Sequence, residues 1–492
     1  MPFLPVILWS DLLIWLLFVA AGVFGWLSLR NPLWRTAWQR VGHSRAGMAS
    51  ATLLLVFVGV GLLDSLHYRP RLENPAGQLA SQQASESSQA ASGASKQPAA
   101  YAVEVLSLLD AILTPLRTQN EKTYSEPLAT RAYAKESIES RDAAGELQQT
   151  RDYPRLRHGG AHLGDEADRD ADIGLRLLRA LALAMLAWWA LAAATAARLA
   201  QREGCAHREA WRRIWSNESA FAWNAVLAAI GVILLVALPL AMLAGHYHVF
   251  GTDKVGQDVF YQVLKSVRTA LVIGLVTTLV TLPLSIFLGV LAGYFRGWVD
   301  DLIQYLYTTL SSIPGVLLIA AAVLMMQVLI DNHPQWFATA AERADLRLLA
   351  LCFILGVTSW TGLCRLLRGE TLKLRELEYI QAAQAFGVAD LRIIGRHILP
   401  NLMHIVIIAL VMDFSSLVLA EAVLSYVGIG VDPTMISFGT MINNARMELA
   451  REPMVWWSLA AAFVFMFALV LAANLLADAV RDAFDPRIAG SA

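Results

Sequence analysis

The 492-residue sequence is short of charge. Asp, Glu, Lys and Arg make up 16% of it, against 57% hydrophobic residues. Soluble domains run nearer about 25% charged and about 45–50% apolar, which disfavours a soluble enzyme and a disordered or fibrous chain alike. No sign of charge is in excess: 39 basic residues face 40 acidic ones, so nothing global argues for nucleic acid as a partner. Cysteine is scarce. Cys205, Cys352 and Cys364 are too few for a disulfide framework, and none forms the C-x-x-C spacing of a zinc site. There is no G-x-x-x-x-G-K-[ST] phosphate loop, so any ATP must be bound by another chain. Neither H-E-x-x-H nor G-x-S-x-G occurs, which weakens hydrolase readings, and no solenoid-type repeat is present. What the sequence does have is long apolar runs.

A helix crossing about 30 Å of hydrocarbon needs about 20 apolar residues. Nine windows qualify, over 7–29, 47–66, 175–198, 220–244, 269–295, 305–330, 346–366, 402–426 and 455–478. The expected fold is an all-α polytopic membrane protein with about nine transmembrane helices. The first window lacks a basic flank and a processing site, so it is taken as a retained span. Arginine sets the orientation. Segments 30–46 (Arg30, Arg35, Arg40, Arg45), 199–219 (Arg202, Arg208, Arg212, Arg213) and 367–400 (Arg368, Lys373, Arg375, Arg392, Arg396) fall on one side when nine spans alternate. That side is expected to be cytoplasmic, with the N-terminus outside and the C-terminus inside.

Four regions are expected: a two-helix segment over 1–66, an extracytoplasmic insert over 67–174, a third accessory helix with a basic loop over 175–212, and the main membrane body over 213–492. Within the insert, Gln78–Ala100 is Ser/Gln/Ala-rich and reads as disordered, while Tyr101–Leu116 has helical apolar spacing. The insert is either a docking element for an extracytoplasmic partner or a tolerated loop.

Glu378–Asn401 is the most informative stretch. Residues Glu370–Phe386 favour helix, Gly387 stops it as a left-handed C′ residue, Asp390 can N-cap a helix Leu391–Leu399, and Pro400 closes that helix. Ala382, Ala383 and Ala385 leave one part thin-skinned beside Phe386. Such a helix-turn-helix can enter a cleft on a partner, or lie on the membrane surface.

This stretch resembles the EAA loop of bacterial ABC importer permeases. Gln381-Ala382-Ala383 is followed by three residues, Gly387, nine residues, and His397-Ile398-Leu399-Pro400. Gln381 stands where Glu is commonest; His397 is typical of the oligopeptide/dipeptide subfamily. Further stretches resemble its DppC/OppC-type subunit: Gly251-Thr252-Asp253-Lys254-Val255-Gly256-Gln257-Asp258, Gly293–Asp300, Ser312-Ile313-Pro314, Glu421–Gly430 and Arg481–Arg487. The resemblance spans 213–492 and implies that the last six helices form a permease core with its coupling loop at 378–400. It also implies an inner-membrane subunit that performs no chemistry and binds no cofactor itself. Its expected partners are a second permease chain, two cytoplasmic ATPases that bind ATP and Mg, and an extracytoplasmic binding protein, with peptides or peptide-like solutes as cargo. The alternatives are an ion-coupled secondary transporter, or a membrane scaffold or sensor working through 67–174.

Three smaller features remain. Asp413 and Glu421 lie in one span, where a charge costs about 2.5–3.5 kcal/mol. They either line a path or permease interface, or are solvated or capped near the outer surface. Pro314 should kink its helix. Asp253 and Asp258 suit backbone capping better than metal binding, and Trp456-Trp457 suits an interfacial aromatic belt.

Overall fold

The computed structural model describes residues 3–30, 32–71, 101–102, 104–141, 147–216, 221–337 and 339–484. The Gln78–Ala100 tract and the end of the Arg481–Arg487 stretch lie outside them. A short strand β1 (Phe3–Val6) precedes α1 (Trp9–Arg30), α2 (Pro32–His43) and α3 (Arg45–Asp64). Strand β2 (His67–Pro70) pairs antiparallel with β1 and with β3 (Leu106–Ser107), so Tyr101–Leu116 is not one helix. Its first half extends to complete the sheet. Ser107 then starts the short helices α4 (Leu108–Ile112) and α5 (Thr114–Thr118) with a capping box closed by Asp110. A hairpin, β4 (Glu136–Arg141) with β5 (Leu147–Asp152), follows.

Next come α6 (Arg169–Glu203), α7 (His207–Ser216) and α8 (Trp223–Ala244). An alanine stripe, Ala180, Ala184, Ala192, Ala196 and Ala200, is buried on α6. Small residues permit close helix approach, and Trp188 Nε1 donates across it to the Leu227 carbonyl at 2.7 Å.

The main body is built on α9 (Val259–Phe295), which is buried along most of its length. Around it run α10 (Gly297–Ser312), α11 (Gly315–Asp331), α12 (Ala340–Ser359), α13 (Thr361–Arg375), α14 (Glu378–Ala385), α15 (Asp390–Ile393), α16 (Leu399–Val427), α17 (Phe438–Glu448) and α18 (Trp457–Phe484). Among the described residues, eight helices are long and apolar enough to cross a membrane, or nine if the bent pair α10–α11 counts as one.

That pair corrects the span expected at 305–330. Ile313 is extended and Pro314 breaks the helix, so α10 and α11 meet at 88° rather than at a mild kink. Proline supplies no N–H and pushes its predecessor out of the α region; its own carbonyl then opens α11 by accepting from Leu317 N at 2.9 Å.

The molecule has two ends. One carries the β-strands, the insert and the turn 245–258. The other carries α2, α7 and the 376–400 loop: α2 packs through Val41 on Ile407, Val480 and Ala483, and Ala222 N donates to the Gly42 carbonyl at 2.8 Å.

Candidate functional site: the 376–400 loop and the turn at the opposite end

At the loop end, the continuous helix expected over Glu370–Phe386 is broken. α13 stops at Arg375, Leu377 is extended, and α14 restarts at Glu378. The turn lets Ile380 reach a core with Leu367, Tyr294, Ile393 and Ile398, a burial that helix propensity alone does not register. Gly387 ends α14 at φ +72°, with Gly387 N on Gln384 O at 3.0 Å and Val388 N on Ala383 O at 3.1 Å, the paired bonds of a Schellman turn.

Two further expectations fail here. Asp390 does not cap the second helix; Ala389 holds the N-cap position. The Asp390 carboxylate instead accepts from Tyr294 Oη at 2.6 Å, and Tyr294 Oη accepts from Gln384 Nε2 at 3.2 Å. One phenol at the end of α9 thus holds both arms of the loop. Nor does Pro400 close a helix. The chain runs from α15 through a π turn, Ile394–Ile398, straight into α16. The widened turn clears the proline ring of the preceding carbonyls, and Asn401 Nδ2 donates to the His397 carbonyl at 2.7 Å. Any push on the loop therefore reaches the membrane helix directly.

The loop's outer face is apolar and bare. Phe386 is 87% exposed and Leu391 80%, flanking Gly387, while Gln381 and Ala382 are exposed and Ala383 is half-buried against the loop core. Arg368 grips Asp300 with two bonds, 2.5 and 2.7 Å, and so ties α13 to α10 beneath it.

The turn Gly251–Asp258 is equally specific. Asp258 caps α9 by accepting from Phe260 N and Tyr261 N at 2.8 and 3.2 Å, and its other oxygen meets His248 Nδ1 at 2.8 Å. Asp253 accepts from Val255 N, Gln257 N and Gln262 Nε2. The insert grips this turn: Ser125 N donates to Thr252 Oγ1 at 2.7 Å and Glu121 N to Gly256 O at 2.9 Å. A Cβ at Gly256, already at φ +79°, would sit 1.9 Å from the Glu121 carbonyl, so no other residue fits. Glu121 itself accepts from the backbone amides of Arg157, His158 and Gly159 at 2.9, 2.7 and 3.1 Å, and its Oε1 lies 3.4 Å from His248 Nε2 as an ion-pair contact rather than an aligned hydrogen bond. Burial opposes both charges, but these partners outweigh it, lowering Glu121 to about 2 and raising His248 to about 9. Trp457 is no membrane-belt residue: it is buried and donates to the Thr252 carbonyl at 2.9 Å, while Trp456 stays exposed.

Behind the turn, two ion-pair clusters join the N-terminal helices to α9. Lys265 Nζ meets Asp64 at 2.7 Å and Asp110 at 3.0 Å. Arg268 Nη2 meets Asp11 at 2.6 Å and Ser10 Oγ at 2.8 Å; Asp11 also meets His67, and Ser10 hydrogen-bonds Asp345. The one local signal for these joints is Asp11, the single acid within the apolar window 7–29. Glu421 is buried and accepts from Ser425 and Ser437 at 2.6 and 3.0 Å. Asp413, midway along α16, is half-buried and has no side-chain partner among the described residues.

Residues 285–490 match the family described as "Binding-protein-dependent transport system inner membrane component". The glutathione transport system permease protein GsiD of Pectobacterium atrosepticum is 31% identical over 304 residues, covering 57% of this chain and 92% of that protein. The dipeptide transport system permease protein DppC of Bacillus subtilis is 29% identical, with 57% and 86% covered. The oligopeptide transport system permease protein OppC of Mycobacterium bovis is 31% identical, with 49% and 77% covered. A solved methionine ABC transporter chain is 16% identical over 46% of this chain and 97% of its own, at a TM-score of 0.35, too low to bear on the fold. The chain belongs to the binding-protein-dependent transport system inner membrane components, as a multi-pass permease subunit of an ABC importer whose ATPase is a separate subunit.

Proposed function

We propose that this subunit carries peptides or peptide-like solutes and converts ATPase motion into alternating access through the 378–400 loop. The observation that supports this best is the bare apolar pair Phe386 and Leu391 on either side of the Gly387 turn, held to α9 by Tyr294 and continuous with α16. A knob of this kind fills a cleft on a soluble motor, with Gln381, Ala382 and Ala383 on the arm beside it. The loop end then faces the cytoplasm, together with the C-terminus, and the insert end and N-terminus face outward, where a binding protein delivers cargo to the side bearing Gly251–Asp258. A second, different permease chain and two ATPases complete the assembly. Peptide cargo is supported by relatives named for dipeptide, oligopeptide and glutathione transport.

Asp413 belongs to the path or to the contact with the second permease, because an unpaired carboxylate midway along a membrane helix needs a polar neighbour. Glu421, bonded to two serines, sets the outer end of α16 against α17. Pro314 divides α10 from α11 and gives the path its bend.

Gly387→Trp tests the coupling reading. The position is open, with nothing within 4 Å of a Cβ, but its φ of +72° disfavours any side chain. The variant should insert in the membrane, fail to co-purify with the ATPases and lose uptake. Normal co-purification with normal uptake would end the proposal.

A further inference from the structure

The N-terminal helices leave one strongly charged surface unexplained. α2 and α7 are short, amphipathic and at the same end as the 376–400 loop. Each spends its apolar face on protein: Ala37 and Val41 are buried on α2, with Val41 against α18, and Ala210 and Ile214 are buried on α7, with Ile214 in a cluster with Ala192 and Leu227. The opposite faces carry arginine. No acid occurs between residues 30 and 46, and the two acids of the α7 region among the described residues, Glu203 and Glu209, are taken by Arg213 at 2.8 and 2.6 Å, while Glu218 lies outside them. Arg35, Arg40, Arg45, Arg202, Arg208 and Arg212 are all exposed, and none has an ion-pair or hydrogen-bond partner among the described residues. Asp478 and Asp482, on the helix that α2 packs against, are exposed and pair with none of them. The bond from Ala222 N to the Gly42 carbonyl draws the two segments together, and Trp215 stands 49% exposed beside the α7 arginines, as an aromatic at the headgroup level does.

We propose that α2 and α7 form a platform that binds anionic phospholipid headgroups beside the membrane-spanning helices. Six guanidinium groups at the base of apolar helices, without a partner among the described residues, match phosphate in charge and in bidentate geometry, and lipid is the phosphate source that this depth presents. Because α2 rests on α18 and on Ile407 of α16, bound lipid would brace the inner ends of the helices that carry the coupling loop. The choice of the cytoplasmic leaflet rests on the orientation proposed above; the binding itself does not.

The test uses the full importer complex reconstituted in nanodiscs of phosphatidylcholine alone or half phosphatidylglycerol, followed by native mass spectrometry of retained lipid. The wild type should retain phosphatidylglycerol selectively and release it as salt rises. The quadruple variant R35Q/R40Q/R208Q/R212Q should retain at least about tenfold less, a floor well below what four charges at an anionic surface supply together. A matched pair at the other end, R151Q/R157Q, should retain it normally. Equal retention by the quadruple variant, retention of phosphatidylcholine to the same degree, or insensitivity to salt overturns the proposal. Should the quadruple variant not assemble, the salt and lipid dependence of the wild type decides alone. Protease access to 30–46 in sealed vesicles reads the orientation separately.

Discussion

The two ends of this molecule solve opposite problems. At the insert end, charges are consumed internally: Glu121 by three amides and His248, Asp258 by α9 and His248, Lys265 and Arg268 by acids from the N-terminal region. At the loop end, Phe386 and Leu391 lie bare and six arginines have no side-chain partner among the described residues. A surface that satisfies itself is a structural joint, whereas a surface left unsatisfied is built for something outside the chain. The insert is therefore welded to the permease body, and the loop is the part kept free.

Breaking one partner at each end should sharpen that contrast. Arg268 is buried, so Asp11→Ala strands its guanidinium; such losses cost about 3–5 kcal/mol. Thermal unfolding of the purified protein should shift strongly downward, and proteolysis should free the N-terminal helices. Phe386→Asp, on a fully solvated site, should change stability within about 0.5 kcal/mol yet abolish ATPase co-purification. Equal stability losses in the two variants would erase the distinction between joint and free surface.

A smaller effect separates holding the loop from docking it. Tyr294→Phe removes the bond to Asp390 and the one from Gln384, at a cost of about 1–2 kcal/mol confined to the loop. The ATPases should still co-purify, but uptake per ATP hydrolysed should fall, because the two arms no longer move together with α9. Unchanged coupling efficiency in this variant would remove Tyr294 from the stroke.

The spans, the sided arginines and the Gln381–Pro400 pattern were legible because they are local: each is a run or a spacing within one stretch. The break at Glu376, the passage of α16 through Pro400 and the true partner of Asp390 were not. The first and the last are decided by residues far along the chain, as Ile380 packs on Tyr294 and Tyr294 reaches Asp390 across 96 positions, whereas the passage through Pro400 rests on a widened turn, Ile394–Ile398, that residue type alone does not announce. Asp390 shows the mechanism of failure. Its type suits an N-cap, but a phenol already fixed by the α9 packing offered a bond without moving the helix start. Trp457 misled in the same way, since an indole at a span entrance suits the membrane interface equally well as a buried carbonyl such as that of Thr252.

The smallest expected effect is a titration of the joint. His248 is raised from 6.5 to about 9, so its contribution is complete below pH 6.5 and is lost as pH climbs through 9. Glu121 is lowered from 4.5 to about 2, so its contribution is complete above pH 4.5 and is lost on acidification toward 2. The insert should hold most firmly between those limits, near pH 4.5–6.5, and loosen gradually on the alkaline side. Hydrogen exchange at the amides of Arg157, His158 and Gly159, corrected for intrinsic pH dependence, reports this directly, because those are the groups that Glu121 holds. His248→Gln should flatten the alkaline limb and shrink the acid limb without abolishing it, because Glu121 then keeps only the three backbone amides. The loop end is held by Arg368 on Asp300 and by Tyr294 on Asp390, with no buried histidine–carboxylate pair there among the described residues, so amides around Gly387 should show no matching trend near pH 9. If they did, the pH response would belong to the whole fold and not to the joint.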